Sequence, residues 1–146
     1  MTIYTIGFAQ KNAKTFFELI KKNNVEIVID IRLNNKSQLA GFTKGNDLSY
    51  FLKEICNCDY SHCIDFAPTK EILDDYKKKG SSWSQYVEQF IPLMEKRKSV
   101  ELFTKMFGKY NSVCLLCSEP TPEQCHRRLL AELIQQKKND VLIKHL

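Results

Sequence analysis

The chain has 146 residues, of which 43% are hydrophobic and 27% are charged, and its formal net charge is +5. This composition is ordinary for one globular domain and excludes a disordered polyelectrolyte or a collagen-like chain. No apolar run reaches the ~20 residues that cross a bilayer. The excess of positive charge is mild and scattered, unlike the dense basic face of a dedicated DNA-binding domain.

The first third of the chain predicts two strands and two helices. β-forming residues over 2–7 predict a strand that Gly7 ends, and Asn12 is placed to cap a helix whose apolar residues recur at helical spacing. A continuous apolar run over 25–31 predicts a second strand that is buried on both faces. Beyond a long loop, Asp47 is placed to cap the second helix.

The middle of the chain is predicted to be mainly helical after a short third strand over residues 60–63. Thr69 begins one helix, which Gly80 ends, and Ser82 caps the next. Pro92 lies within the apolar pattern of that helix. We expect it to kink or restart the helix, because proline has no N–H group for the helical hydrogen bond.

The last third predicts a strand, a helix and a short final strand. Residues 112–117 are apolar throughout, and Thr121 begins a capping-box pattern with Pro122 at the first helical position. Residues 141–145 predict the last strand. Strands that alternate with helices predict a single α/β domain over residues 1–146, with three layers: a mainly parallel sheet of about five strands and helices on both faces.

Ionisable and nucleophilic side chains follow the predicted strands. Ligands of open α/β sheets bind beyond the carboxyl ends of the strands, so these side chains are the candidate site. We predict that seven residues form it: Gly7, Asp30, Arg32, Cys117, Glu119, His126 and Arg127. The alternative is that polar residues collect at strand ends only because loops are solvated.

Four of these residues, Gly7, Asp30, Arg32 and Arg127, are predicted to bind a ligand. The spacing of Arg127 to the apolar residues of its helix places it near the buried face, close to the start of the helix. A guanidinium there suits a carboxylate or a phosphate, since helix starts also favour anions. Equally, Arg127 could form a structural ion pair with Asp30 or Glu119.

The other three residues, Cys117, Glu119 and His126, are the candidate catalytic residues. A thiol beside a helix start can have a lowered pKa and act as a nucleophile, with Glu119 or His126 moving protons. The competing interpretation is a buried, inert cysteine. Cys125 adds a third residue of zinc-binding type to Cys117 and His126, but the fourth ligand is missing, and we predict neither a metal nor a cofactor.

The chain begins without the basic and apolar segments of a secretory signal. We therefore expect a cytoplasmic protein that does not associate with membranes and whose six cysteines are reduced. Cys114 and Cys117 form a C-x-x-C pair within the fourth strand, but their odd spacing points them to opposite faces of the sheet. That is poor geometry for a redox pair or a metal site.

The strand-end motifs together resemble one known family. The segments Thr5-Ile6-Gly7, Asp30-Ile31-Arg32, Cys117-Ser118-Glu119 and Cys125-His126-Arg127 are similar to the TIGH, DVR, C-x-E and CHR patterns of the domain of unknown function 488 family. The resemblance covers nearly the whole chain. It implies a small, soluble bacterial or archaeal α/β protein whose family has no settled biochemical activity.

One position departs from the family pattern. Phe8 stands where the family has the histidine after TIG, so any base or ligand at that position is lost here. His62 is a candidate substitute. The departure weakens a catalytic interpretation and leaves an anion-binding interpretation intact.

Three hypotheses for function follow. The first is an intracellular protein, an enzyme or a former enzyme, that binds a small anionic or nucleotide-like ligand at the carboxyl ends of the strands. The second is a non-catalytic nucleic-acid or nucleotide-binding module that uses Lys36 and Lys44 together with the two arginines. The third is a structural or partner-binding domain in which the motif ties the fourth strand to its helix.

Overall fold

The computed structural model describes residues 1–37 and 40–146, which form five β-strands, six α-helices and two short 3₁₀ helices. The strands are β1 (Thr2–Gly7), β2 (Ile27–Asp30), β3 (Asp59–His62), β4 (Ser112–Cys117) and β5 (Leu142–His145). The helices are α1 (Ala13–Lys22), α2 (Gly45–Cys56), α3 (Lys70–Lys77), α4 (Trp83–Lys96), α5 (Ser99–Phe107) and α6 (His126–Lys137).

The five strands form one sheet in the order β3-β2-β4-β1-β5, and every pair of neighbours is parallel. Helices α1 and α2 pack on one face through buried residues such as Phe16 and Leu48. Helices α3 to α6 pack on the other face through residues such as Phe90 and Leu130. The predicted three-layer α/β fold is therefore confirmed, with a sheet that is parallel throughout.

The central strand β4 divides its side chains between the two layers. Cys114 and Leu116 pack against the α1–α2 layer, and Val113 and Leu115 pack against the α3–α6 layer. This alternation follows from the two-residue period of a strand. Cys117, three residues after Cys114, lies on the α3–α6 side. The expectation that these two thiols face opposite layers is confirmed.

The topology places the end of β4 at a switch point. Strand β4 lies between β2 and β1. The chain leaves β1 and β2 for helices of one layer, and it leaves β4 for α6 in the opposite layer. Neighbouring strands that diverge in this way open a crevice at their carboxyl ends, where α/β proteins bind ligands. Cys117, the last residue of β4, lines a cavity at this end of the sheet.

The start of α6 differs from the prediction. The helix begins at His126, with Cys125 as its N-cap residue and no side-chain cap, instead of at Thr121. A capping box needs the Gln124 side chain to reach back toward Thr121. That amide oxygen instead accepts a hydrogen bond of 3.0 Å from the Tyr76 hydroxyl. A tertiary contact thus outweighs the local capping signal.

Two further expectations about helices were not met: α2 does not begin at Asp47, and α4 does not restart at Pro92. Helix α2 begins at Gly45, two residues before Asp47, where the Gly45 N–H donates to the Asn35 carbonyl oxygen at 2.8 Å. Helix α4 continues through Pro92 to Lys96. Pro92 lies on the exposed side of the helix, where water can satisfy the carbonyl group that lacks its N–H partner.

None of the helices within the described residues combines the length and the apolar character that a membrane span requires.

Candidate functional site

The ends of β1, β2 and β4 bring the predicted site residues to one edge of the sheet. Gly7 is the register partner of Cys117, and Asp30 is the partner of Leu116. The Ile31 N–H then donates to the Leu116 carbonyl oxygen at 3.1 Å. The parallel order β2-β4-β1 is the physical reason for this convergence, because parallel strands end at the same edge.

Asp30 and Arg32 form a buried, bidentate ion pair. The Arg32 Nε and Nη2 atoms donate to the two Asp30 carboxylate oxygens at 2.8 and 2.7 Å. Arg32 Nη2 also donates to the Thr43 carbonyl oxygen at 2.6 Å, and the Tyr60 hydroxyl donates to Asp30 at 2.7 Å. Burial alone would lower the pKa of Arg32, but its bonds to Asp30 outweigh burial and raise it. The carboxylate is thus fully engaged inside the protein.

Arg127 is fully buried and has no carboxylate partner among the described residues. Its Nη1 donates to the Glu119 main-chain oxygen at 2.7 Å and lies 3.4 Å from the Cys125 sulfur. Its Nε donates to the Thr5 hydroxyl at 3.4 Å, and Nη2 has no hydrogen-bond partner. The prediction that Arg127 faces the apolar side is confirmed. Neither Asp30 nor the Glu119 carboxylate pairs with it.

His126 lies in hydrogen-bond reach of Cys117 and is held from its other side. Its Nε2 atom is 2.9 Å from the Ile31 carbonyl oxygen, and its Nδ1 atom is 3.5 Å from the Cys117 sulfur. A carbonyl oxygen only accepts hydrogen bonds, so Nε2 carries a proton. The Nδ1 atom therefore faces the thiol, and the ring packs 5.5 Å from the Phe90 ring. Thiol catalysis uses this arrangement: a nucleophile, a base beside it, and a group that orients the base.

The surroundings of Cys117 lower the pKa of its thiol. The neighbouring Cys125 thiol, whose sulfur lies within 4.8 Å of the Cys117 sulfur, favours the Cys117 thiolate, and its effect on the pKa exceeds the opposing effect of burial. The N–H groups of Ser118 and Glu119 and the charge of Arg127 act in the same direction. Burial instead raises the pKa of the Cys114 thiol. Cys117 is the thiol that these groups favour as a thiolate.

Gly7 allows β1 to approach the segment that follows β4. A Cβ atom at Gly7 would overlap the main-chain oxygen of Glu119, the same oxygen that accepts from Arg127. Glycine is the residue that removes this overlap. Gly7 therefore positions the Cys117–Glu119 segment, and it does not line the cavity described next.

A cavity of about 140 Å³ opens beside the end of β4. Four predicted site residues line it: Arg32, Cys117, Glu119 and His126. Three other predicted residues, Gly7, Asp30 and Arg127, lie outside its wall. The Glu119 carboxylate forms a half-exposed ion pair of 3.1 Å with Lys77, which also lines the cavity.

The sequence reasoning did not assign several residues of this site. The aromatic residues Tyr76, Trp83 and Tyr86 line the cavity, with the Trp83 and Tyr86 rings stacked at 5.0 Å. The helical spacing of Trp83 and Tyr86 marks the apolar face of α4 and does not by itself indicate a cavity. Tyr60 and Thr43 complete the Asp30–Arg32 network. Their roles depend on strand order, which local patterns do not contain.

Neither of the two positions connected with the missing histidine supplies a base to the cavity. Phe8 places its ring 5.3 Å from the Arg32 guanidinium, as a cation–π contact. His62 Nε2 lies 2.7 Å from the Arg32 carbonyl oxygen, and the residue does not line the cavity. His62 is therefore not placed to act on a ligand in this cavity.

Three metal-ligating side chains meet at the site. The donor atoms of Cys117, Cys125 and His126 all lie within 4.8 Å of one another. Three donors with an open fourth position would resemble a catalytic zinc site more than a structural one. The fixed charge of Arg127 next to Cys125 opposes a cation there. That these three side chains bind no metal stays a prediction.

No curated protein and no solved structure matches this sequence significantly. A family match covers residues 12–134, which is most of the chain. The matched region includes the motifs at the ends of β2 and β4 and the motif at the start of α6. The protein belongs to the family described as Domain of unknown function DUF488.

Proposed function

We propose that this protein is a thiol-dependent enzyme that binds a small anionic substrate in the cavity beside β4 and attacks it with Cys117. The Cys117 sulfur forms a bond to an electrophilic centre of the substrate, and the leaving group departs with its bonding electron pair. Where the thiol is still protonated, His126 Nδ1 accepts the proton.

The observation that carries the proposal is the line of contacts from Cys117 through His126 to the Ile31 carbonyl oxygen. Because Nε2 donates to the Ile31 carbonyl oxygen at 2.9 Å, Nδ1 is the nitrogen that can accept from the sulfur, at 3.5 Å, and Nε2 lies farther from the sulfur, at 3.8 Å. A buried, inert cysteine needs no such base, and Cys114 in the same strand has none among the described residues. The cavity gives a small molecule access to the sulfur.

Cationic groups in and behind the cavity wall favour a negatively charged substrate. Arg32 and Lys77 line the cavity. The ion pair of Lys77 with Glu119 is half exposed, and such pairs contribute only ~0–1 kcal/mol in water. A substrate anion can therefore replace Glu119 as the partner of Lys77. The unpaired charge of Arg127 adds to the positive potential behind Cys117.

The volume of the cavity favours a small substrate over a whole nucleotide. A cavity of roughly 150 Å³ holds a molecule of the size of benzene, and pockets for drug-sized ligands are about 300–1,000 Å³. The aromatic residues Trp83 and Tyr86 supply apolar contact for the uncharged part of the substrate. Arg32 and Arg127 are both buried, which argues against the nucleic-acid alternative.

Competitive alkylation tests the proposal. The native protein is treated with iodoacetamide or iodoacetate across a range of pH, and tandem mass spectrometry assigns the label within the tryptic peptide 110–127. Cys114 lies in the same peptide and is an internal control for burial. We expect Cys117 to react faster than Cys114 at neutral pH. Equal and negligible labelling of the two thiols would remove the nucleophile from the proposal.

The charge of the substrate is tested in the same reaction. We expect the rate with iodoacetate, relative to iodoacetamide, to be higher at Cys117 than for free cysteine. We also expect inorganic phosphate to slow the labelling when ionic strength is held constant with chloride. A rate ratio equal to that of free cysteine, with no protection by phosphate, would contradict an anionic substrate.

A further inference from the structure

We propose that Cys117 and Cys125 are a redox pair that hydrogen peroxide converts reversibly into a disulfide inside the cavity. The inference rests on the proposed function in one respect: both require that a small molecule in the cavity can reach the Cys117 sulfur. It adds a second reaction, with a hydroperoxide as the oxidant and Cys125 as the resolving thiol.

The geometry brings the two sulfurs together on a surface that a small molecule can reach. Their sulfur atoms lie within 4.8 Å of each other, with His126 Nδ1 3.5 Å from the Cys117 sulfur and Arg127 Nη1 3.4 Å from the Cys125 sulfur. The two residues are only 5% and 2% exposed, but both line the cavity. A molecule as small as hydrogen peroxide can therefore meet Cys117 where a protein oxidant cannot.

The chain between the two cysteines can adjust to a bond. Cys117 ends β4 and Cys125 precedes α6, and residues 118–125 belong to neither a helix nor a strand. A disulfide requires the Cβ atoms to approach to about 3.5–4.5 Å. Residues 118–124, which lie between the end of β4 and the N-cap residue of α6, are the part of the chain that would take up this movement.

The reaction balances in two steps. The Cys117 thiolate attacks one oxygen of hydrogen peroxide, the O–O bond breaks, and the sulfur becomes a sulfenic acid while hydroxide leaves and takes up a proton to form water. The Cys125 sulfur then attacks the Cys117 sulfur, and the S–O bond breaks. The departing oxygen leaves with the thiol proton as a second water. Two thiols lose two electrons, and the peroxide gains them.

The charge of Arg127 makes this disulfide easy to reduce. In the reduced protein, Arg127 lies 3.4 Å from the Cys125 sulfur, lacks a carboxylate partner among the described residues, and favours the Cys117 thiolate by its charge. Oxidation removes that anion and leaves the buried cation uncompensated. Disulfides whose reduced form is stabilised are strong oxidants. We therefore expect glutathione to restore both thiols.

The other buried cysteines are matched controls. Burial raises the pKa of Cys58 to about 12 and raises the pKa of Cys114 as well. Both thiols lie in the core on the α1–α2 side, away from the cavity. They share the burial of Cys117 and lack its surroundings, so stoichiometric peroxide should leave them as thiols.

The experiment treats the reduced, native protein with stoichiometric hydrogen peroxide, blocks the remaining thiols with iodoacetamide in denaturant, and digests with a glutamate-specific protease. Cleavage after Glu123 separates Cys125 from Cys114 and Cys117. We expect two peptides joined by a disulfide, and their separation after incubation with glutathione. The joined pair should persist in Cys114→Ser and disappear in Cys117→Ser. In Cys125→Ser we expect a Cys117 sulfenic acid that dimedone traps.

The outcomes separate this inference from the proposed function. Fast alkylation of Cys117 without a disulfide after peroxide would overturn the redox pair and leave the thiol enzyme intact. A disulfide that involves Cys114 or Cys58, or one that forms only in denaturant, would overturn it as well. A Cys117–Cys125 disulfide without phosphate protection or anion preference would support the redox pair and contradict the anionic substrate.

Discussion

Two buried arginines lie at the same edge of the sheet, and they differ in how their charges are balanced. Arg32 has a bidentate carboxylate partner, Asp30, and its other donors reach Thr43. Arg127 has a main-chain oxygen, a hydroxyl and a sulfur as partners, and one nitrogen without any. A buried guanidinium cannot lose its proton, so its charge must be balanced nearby.

The difference separates a cation that is neutralised within the fold from one whose charge is available to the proposed reaction of Cys117. The charge of Arg32 is neutralised by a carboxylate that two further groups hold in place, so it ties the loop after β2 to the sheet. The charge of Arg127 is left for the Cys117–Cys125 pair, where it favours a thiolate. The same residue type, buried in both places, thus forms a neutralised ion pair in one and lies beside the proposed nucleophile in the other.

The largest expected loss of stability comes from breaking the ion pair between Asp30 and Arg32. Asp30→Asn leaves the Arg32 charge buried without its partner, and such changes typically destabilise by about 3–5 kcal/mol. Urea denaturation would measure the loss in the free energy of unfolding. Asp75→Asn is the matched control, because Asp75 pairs with Lys79 at the surface, and it should cost less than ~1 kcal/mol. Equal effects of the two variants would contradict a structural role for the Asp30–Arg32 pair.

A smaller loss of stability is expected from disturbing the carbonyl group that holds Arg127. In Gly7→Ala, the added methyl group overlaps the Glu119 main-chain oxygen, and we expect a loss of roughly 1–3 kcal/mol. Gly41→Ala is the control, because nothing lies within 4 Å of the position its Cβ would take. Unchanged thermal stability of Gly7→Ala would show that the β1 end is not closely packed against this segment.

Removing the cation behind Cys117 should change its reactivity more than the fold. In Arg127→Met, the thiolate loses a stabilising charge, so the pKa of Cys117 rises and less thiolate is present at neutral pH. We expect slower alkylation of Cys117 at neutral pH, with the rates of the variant and the unaltered protein converging at alkaline pH. Arg128→Met is the neighbouring control, since Arg128 pairs with Glu132 at the surface. A pH profile equal to that of the control would refute the role of Arg127.

The smallest effect is expected at the half-exposed pair beside the cavity. In Glu119→Gln, the ion pair with Lys77 is lost, and the free energy of unfolding should change by less than ~1 kcal/mol. The rate at which iodoacetate labels Cys117 should stay the same or rise, because Lys77 no longer has a competing partner. A clear decrease in that rate would instead indicate that Glu119 itself takes part in the reaction.

Much of the fold could be predicted because its signals are local. The caps at Asn12, Thr69 and Ser82 are confirmed, since each side chain bonds a main-chain N–H group three residues later. The start of α6 could not be predicted. Tyr76, 48 residues before Gln124, takes the side chain that would have closed the capping box.

The sequence by itself determined the alternation of strands and helices, the burial of Arg127 and the clustering of reactive residue types at strand ends, because these depend on periodicity and spacing. Only the tertiary structure decided which groups surround each charge. The Asp30–Arg32 pair is local, but Tyr60 and Thr43, which complete it, come from other segments, and Arg127 is held in part by Thr5 of β1. Contacts of the latter kind depend on distances between segments that are far apart in the chain, and no local pattern encodes those distances.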